Sequence, residues 1–243
     1  MKETWAVLET EHYTFHYQEG SLAAKEIGQI AAEQEDCHRQ ITEKLVFTPR
    51  SKITYWLCAT RKDLMEQSKF DFETNGVTFT DPDDPQIYAV YNDECKCTGF
   101  HEDVHAIMCQ YANPSSSAVV EGLAMYFDRV WWGIPNDRCT RVYLEDGKYE
   151  KVEKMITDND FFYYQVSDII SYPIVGAFTA FLVEAYGIEK YKKLYHESDD
   201  MAATFAQIYG KSLTEAEDEF VKEIMGRTYS AEEMAQARKE LYS

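Results

Sequence analysis

Positive charge, histidine and long apolar runs are all scarce in this chain, and each shortage removes a class of function. Lys and Arg number 24 against 43 Asp and Glu, for a formal net charge of −19. Such a surface repels phosphate backbones and anionic lipids, so no nucleic acid and no membrane is expected as a partner. The surplus acid is read as serving solubility. No uninterrupted apolar stretch approaches the roughly 20 residues that cross a bilayer. Met1-Lys2-Glu3-Thr4-Trp5 has no signal-peptide apolar region, so a cytoplasmic location is expected. The six cysteines, Cys37, Cys58, Cys95, Cys97, Cys109 and Cys139, are too dispersed for a small disulfide scaffold. Cys95 and Cys97 are spaced for one face of a strand rather than for a C-x-x-C redox pair. Repeats, low-complexity tracts and flexible linkers are absent too.

What remains is a chain long enough for one large domain or two closely packed lobes, rich in tyrosine, with 18. Its first part alternates strand and helix signals. Strands are predicted over 12–17, 52–58, 76–79 and 87–91, a long helix over 22–45 and a short one over 61–69. Asp81-Pro82-Asp83-Asp84-Pro85 is turn chemistry. The strand at 87–91, if one edge is free, could pair with an extended peptide. The second part reads as mainly helical, after a less regular insertion at 131–165 that either covers a cleft or is a packed connection. Helices are predicted from about 175 to 186, ended by Gly187, and then near 188–197, 199–208, 214–225 and 230–241. The fold class is therefore α+β. Residues 1–98 form an α/β lobe and residues 99–243 carry the helices, within one catalytic domain overall.

Against only six histidines, His101-Glu102-Asp103-Val104-His105 stands out. Phe100, Val104, Ile107, Met108 and Tyr111 give the segment a helical apolar stripe running to about Tyr111, before Asn113-Pro114-Ser115. Histidines four apart on a helix point the same way and can share one metal ion, with the intervening Glu102 as general base. A second helical stretch, Val119 to Phe127, carries Glu121, whose carboxylate offers a third ligand. Such a set suits Zn²⁺ with an open position for water. Glu102 would take the proton of that water and pass one to the leaving amine. Tyr172, in Ser171-Tyr172-Pro173 just before the helix expected from 175, is the leading donor to the developing oxyanion; Tyr163 and Tyr164 are weaker candidates. Asp103 points away from the two histidines, and Asp128 could support the site from behind.

The His101–His105 motif, Glu121-Gly122-Leu123-Ala124 and the Tyr172–Tyr186 segment, with the strands at 11–17 and 52–58, resemble the gluzincin zinc metallopeptidases, especially peptidase MA-like domains. The resemblance implies a zincin-like mixed sheet against an active-site helix, followed by a helical lobe. It also implies zinc held by His101, His105 and Glu121, with Glu102 as base. Where thermolysin-like members carry an aspartate one turn after the third ligand, this chain has Met125. It also lacks the Gly-x-Met-Glu-Asn segment of related aminopeptidases. The expected activity is therefore hydrolysis of internal peptide bonds in a peptide or unfolded protein. The alternatives are a noncatalytic peptide-binding protein on the same scaffold, and a zinc hydrolase of a non-protein amide.

Overall fold

Strand alternation and helical periodicity set out the first part of the chain. In the computed structural model, which describes residues 5–196 and 200–242, β1 (Trp5–Glu9), β2 (Tyr13–Gln18), α1 (Leu22–Leu45), β3 (Ile53–Cys58), α2 (Arg61–Ser68), β4 (Gly76–Phe79), β5 (Gln86–Val90) and α3 (Phe100–Met108) follow in order. The expectations for residues 1–4, and for the helix ends at 197 and 199, lie outside the described residues. The five strands form one mixed sheet in the order β1-β2-β3-β5-β4. Its centre, β2-β3-β5, is parallel, and β1 and β4 are antiparallel to their neighbours. With the helices, this is an α+β architecture.

Alternate residues explain which sheet face is buried. Tyr13, Phe15, Ile53, Tyr55, Leu57, Ile87 and Ala89 are at most 1% exposed. Each large side chain among them contributes about 1.5–3 kcal/mol by leaving water. Helix α1 packs on β2 and α3, and its buried residues (Ala23, Ile30, Ala31, Gln34, Cys37, His38, Ile41 and Leu45) recur at intervals of three and four. Ser21 caps its start by accepting from the Ala24 amide, and Val46 ends it in a left-handed conformation at φ 48°. On the opposite sheet face, Trp56 stacks between His16 and Tyr88, its register partners on β2 and β3's other neighbour β5.

The condition for peptide pairing at 87–91 is not met. β5 has no free edge: it is hydrogen-bonded to β3 on one side and β4 on the other, and β4 is the outer strand. The chain groups into Met1–Ala112 and Asn113–Ser243, which places α3 with the sheet. The reason is packing, since α3 lies against α1, β4 and β5.

The second unit contains α4 (Ser117–Asp128), a hairpin of β6 (Val130–Trp131) and β7 (Ile134–Pro135), α5 (Asn136–Glu145), α6 (Val152–Thr157), a π-helical turn at Phe161–Gln165, α7 (Asp168–Tyr186), α8 (Ile188–His196), α9 (Met201–Tyr209), α10 (Leu213–Gly226) and α11 (Ala231–Leu241). The expected irregular insertion is thus mostly helical. Its two tryptophans open a tight hairpin, with Trp132 at φ 49° and Gly133 at φ 83°. Cys139, Thr140, Val142 and Tyr143 then supply a buried helical face.

Helices α4 and α7 pack closely because glycines sit at the crossing. A Cβ on Gly122 would meet Thr179 Oγ1 at 2.5 Å and the Val175 carbonyl at 3.1 Å; one on Gly176 would meet Met125 Cβ at 2.6 Å. α7 begins at Asp168, earlier than expected, and runs through Pro173. Proline removes the amide that would bond the carbonyl four residues back. That carbonyl, of Ile169, instead accepts the Tyr143 hydroxyl at 2.6 Å. α7 is long and apolar enough by length and composition to cross a membrane, but 61% of that stretch is buried within the protein, as in a core helix.

Candidate metal centre

In the first unit the H-E-x-x-H motif is helical throughout. His101 and His105 stand one turn apart on α3, half-buried, with ring centroids 4.9 Å apart in an edge-to-face arrangement. The helix needs outside help to start there, because Gly99 (φ 120°) precedes it and no side chain caps it. Gln34 of α1, fully buried, supplies that help. Its Nε2 donates to the Gly99 carbonyl at 3.0 Å and its Oε1 accepts the Gly99 amide at 2.9 Å.

Asp103 faces the interior, as its place in the motif predicts. It is fully buried and accepts the Tyr13 hydroxyl at 2.6 Å; the same hydroxyl lies 3.2 Å from the Gln34 carbonyl. Burial pushes the Asp103 carboxyl well above the usual carboxylate range, and the Tyr13 bond only partly offsets this. Tyr13, Gln34 and Asp103 therefore pin the face of α3 opposite its histidines.

Glu102 is held from β4. Thr78 Oγ1 donates to Glu102 Oε2 at 2.6 Å. Two residues earlier, Gly76 leaves room for the carboxylate: a Cβ there would stand 2.6 Å from Glu102 Oε1 and 2.8 Å from Cys97 Sγ. A bond to one carboxylate oxygen and a backbone wall against the other restrict the rotamers open to Glu102.

In the second unit Glu121 is buried on α4, one helical turn beyond Ser117. Asn159 ties the preceding loop to this helix: its Oδ1 accepts the Ser117 amide at 2.9 Å and its Nδ2 donates to the Ser115 carbonyl at 2.7 Å. Tyr163, on the π-helical turn, is about half exposed, at 49%; the partial burial of its phenol and the negative charge of Glu121 raise its pKa, against a Ser117 bond acting in the opposite sense. Tyr164 is exposed. Tyr172 lies in the second turn of α7, not before the helix. Its half-buried ring packs against Trp131 at 5.5 Å and stacks with Phe162 at 5.8 Å.

No protein-family model matches the chain, and no curated protein matches it. The chemistry of the donors thus carries the assignment. Two imidazoles and one carboxylate, from His101, His105 and Glu121, make a ligand set that could hold a metal ion. Gln34, Tyr13, Thr78, Gly76 and Asn159 could not be picked out from the sequence as supports of this chemistry. Each acts on a residue distant in the chain, and none stands in a motif.

Proposed function

We propose that this protein is a zinc-dependent peptidase of the gluzincin kind, cutting internal bonds of peptides or unfolded proteins in the cytoplasm. The reading rests foremost on Glu102, a carboxylate between two histidines on one helical face that receives a 2.6 Å bond from Thr78. A histidine pair kept only for metal storage would not need an oriented base between its members. His101, His105 and Glu121 would hold the metal, and the zincin-like arrangement of sheet and active-site helix follows from the same reading. When bound, zinc polarises a carbonyl and lowers the pKa of water.

The remaining work falls to side chains of this chain. Glu102 takes a proton from the attacking water at a carboxylate oxygen and returns it to the leaving amine. Tyr172 donates to the carbonyl oxygen as charge grows on it, its ring steadied by Trp131 and Phe162. Among the described residues β4 pairs only with β5, so its outer edge offers main-chain groups to an extended peptide. That edge is on the strand that carries Thr78, which supports an internal peptide bond as the substrate.

The test combines metal quantification with cleavage profiling on a diverse peptide mixture, comparing wild type with Glu102→Gln. Wild type should bind one zinc per chain and cleave, and chelation should stop cleavage. Glu102→Gln should keep the zinc and lose turnover by at least about 10²-fold. Zinc bound without cleavage by either protein would favour a binding scaffold. Cleavage confined to small amides would favour the non-protein substrate. Equal turnover by both proteins would remove Glu102 from the mechanism.

A further inference from the structure

One residue of the helical unit is held where its own chemistry would not put it. Trp132 sits at φ 49° in the two-residue turn between β6 and β7, next to Gly133 at φ 83°. Two positive φ values in a row are the pattern of a type I′ hairpin turn, for which Asn-Gly is the favoured pair. A bulky side chain at positive φ crowds its own backbone. Among the described residues, the other non-glycine positions at positive φ are Val46, Lys69 and Arg129, and each ends a helix. Trp132 ends none, and its indole is 75% exposed. Backbone strain and a large apolar surface in water thus coincide at one position, and neither stabilises the fold.

The exposed indole stands at the end of a row of rings. Trp132 meets Trp131 at 6.4 Å and 88°, and Trp131 meets Tyr172 at 5.5 Å and 51°. Tyr172 stacks on the buried Phe162 at 5.8 Å, and Phe162 meets Tyr163 at 5.1 Å and 69°. Tyr164, 84% exposed, continues the row at 6.4 Å from Tyr163. The row follows α4. Tyr163 bonds Ser117, one turn before Glu121, and the tryptophans stand just past the other end of the helix at Asp128. The 12 residues of α4 span about 18 Å, the reach of about five residues of extended peptide. Side chains on one face of such a peptide recur about every 6.6 Å, close to the spacing of these rings. Crossed rings offer faces and edges together, the two surfaces that aromatic side chains use on each other.

We infer that the row from Trp132 to Tyr164 recognises the substrate, an extended segment of unfolded polypeptide with aromatic side chains at alternate positions. The inference rests on the peptidase reading of the metal centre. A folded protein keeps segments of that pattern inside its sheets, so the row selects chains that have lost their fold.

Fluorescence anisotropy of labelled short peptides on the full, zinc-loaded chain carrying Glu102→Gln reads binding apart from turnover. One peptide has phenylalanine at alternate positions, a second has serine at those positions, and a third has the same phenylalanines side by side. The alternating peptide should bind at least about tenfold more tightly than either of the others, the equivalent of one large side chain buried. Adding Trp132→Asn should weaken its binding by about tenfold. The thermal midpoint of that variant should equal or exceed its parent's, because asparagine accepts the left-handed conformation. Trp132→Phe should keep the affinity within about threefold, since a ring remains. Equal binding of the three peptides, parental affinity after Trp132→Asn, or a midpoint lowered by Trp132→Asn would each overturn the inference, the last by showing that the indole serves the fold. Wild-type cleavage is followed on the same peptides. Binding as expected with no cleavage would count against the peptidase reading and leave the recognition row standing.

Discussion

Gly76→Ala isolates the positioning of Glu102 from the identity of Glu102. The new methyl carbon would stand 2.6 Å from Glu102 Oε1 and 2.8 Å from Cys97 Sγ, where ordinary contact begins at 3.4 Å. Both neighbours are ends of side chains, so the overlap is relieved by moving them rather than the strand. The carboxylate must retreat by about 0.8 Å, and in doing so it leaves the Thr78 hydroxyl. A misplacement near 1 Å in a catalytic group costs about 10²-fold in rate, close to 2.7 kcal/mol of barrier. Stability should barely change. Gly76 has no left-handed backbone to lose, and alanine in a strand gains back about 0.5–1 kcal/mol of the conformational entropy that glycine spends. The expected result is a variant with wild-type urea midpoint and zinc content whose kcat on a cleaved peptide is down by about 10²-fold. Full activity at wild-type stability would refute the cradle. Lost activity accompanied by lost zinc would show that β4 supports the ligands rather than the base.

Two further outcomes concern the scaffold. Tyr13→Phe removes the hydroxyl that donates to the fully buried Asp103, and equilibrium urea unfolding should show a loss of about 1–3 kcal/mol; a change under about 0.5 kcal/mol would mean that another donor serves Asp103. His38, 5% exposed and stacked on His12, has its pKa lowered from 6.5 to about 4, chiefly by burial and then by the neighbouring His12, against the pull of Glu35. Between those values the unfolded chain takes up a proton that the folded chain refuses. This stabilisation is therefore complete above about pH 6.5 and is lost as the pH falls towards 4, to a total of about 3 kcal/mol. His38→Phe should flatten the stability–pH curve by that amount over this window, and an unaltered slope would disprove the shift.

The parts of the fold legible in the sequence are those whose pattern is local. The strands near 13–18, 53–58, 76–79 and 86–90 and the helix from Leu22 to Leu45 follow from alternation and periodicity within each segment. β1 escaped notice because Trp5-Ala6-Val7-Leu8-Glu9 has no buried face of its own and is a strand only by pairing with β2. α5 was hidden by Asn136, Asp137 and Arg138, whose polarity reads as loop while their partners lie elsewhere in the unit. Pro173 misplaced the start of α7, since the hydroxyl that replaces its missing bond belongs to Tyr143. The same division runs through the candidate site. His101, Glu102, His105 and Glu121 were visible as residue types at meaningful spacings. Thr78, Gly76 and Gln34 were not, because what they do is defined only by the neighbours that folding brings to them.

The bond pair from Gln34 to Gly99 also bears on how the histidine pair is supported. α3 has nine residues, a glycine before its first turn and no side-chain cap, well short of the roughly 12–15 residues at which an isolated helix becomes marginally stable. Its first turn is held instead from α1, 65 residues earlier in the chain. The spacing of the histidine pair in three dimensions is therefore coupled to the docking of α1. A change at Gln34, far from either imidazole in the chain, would thus reach the helix on which both imidazoles stand.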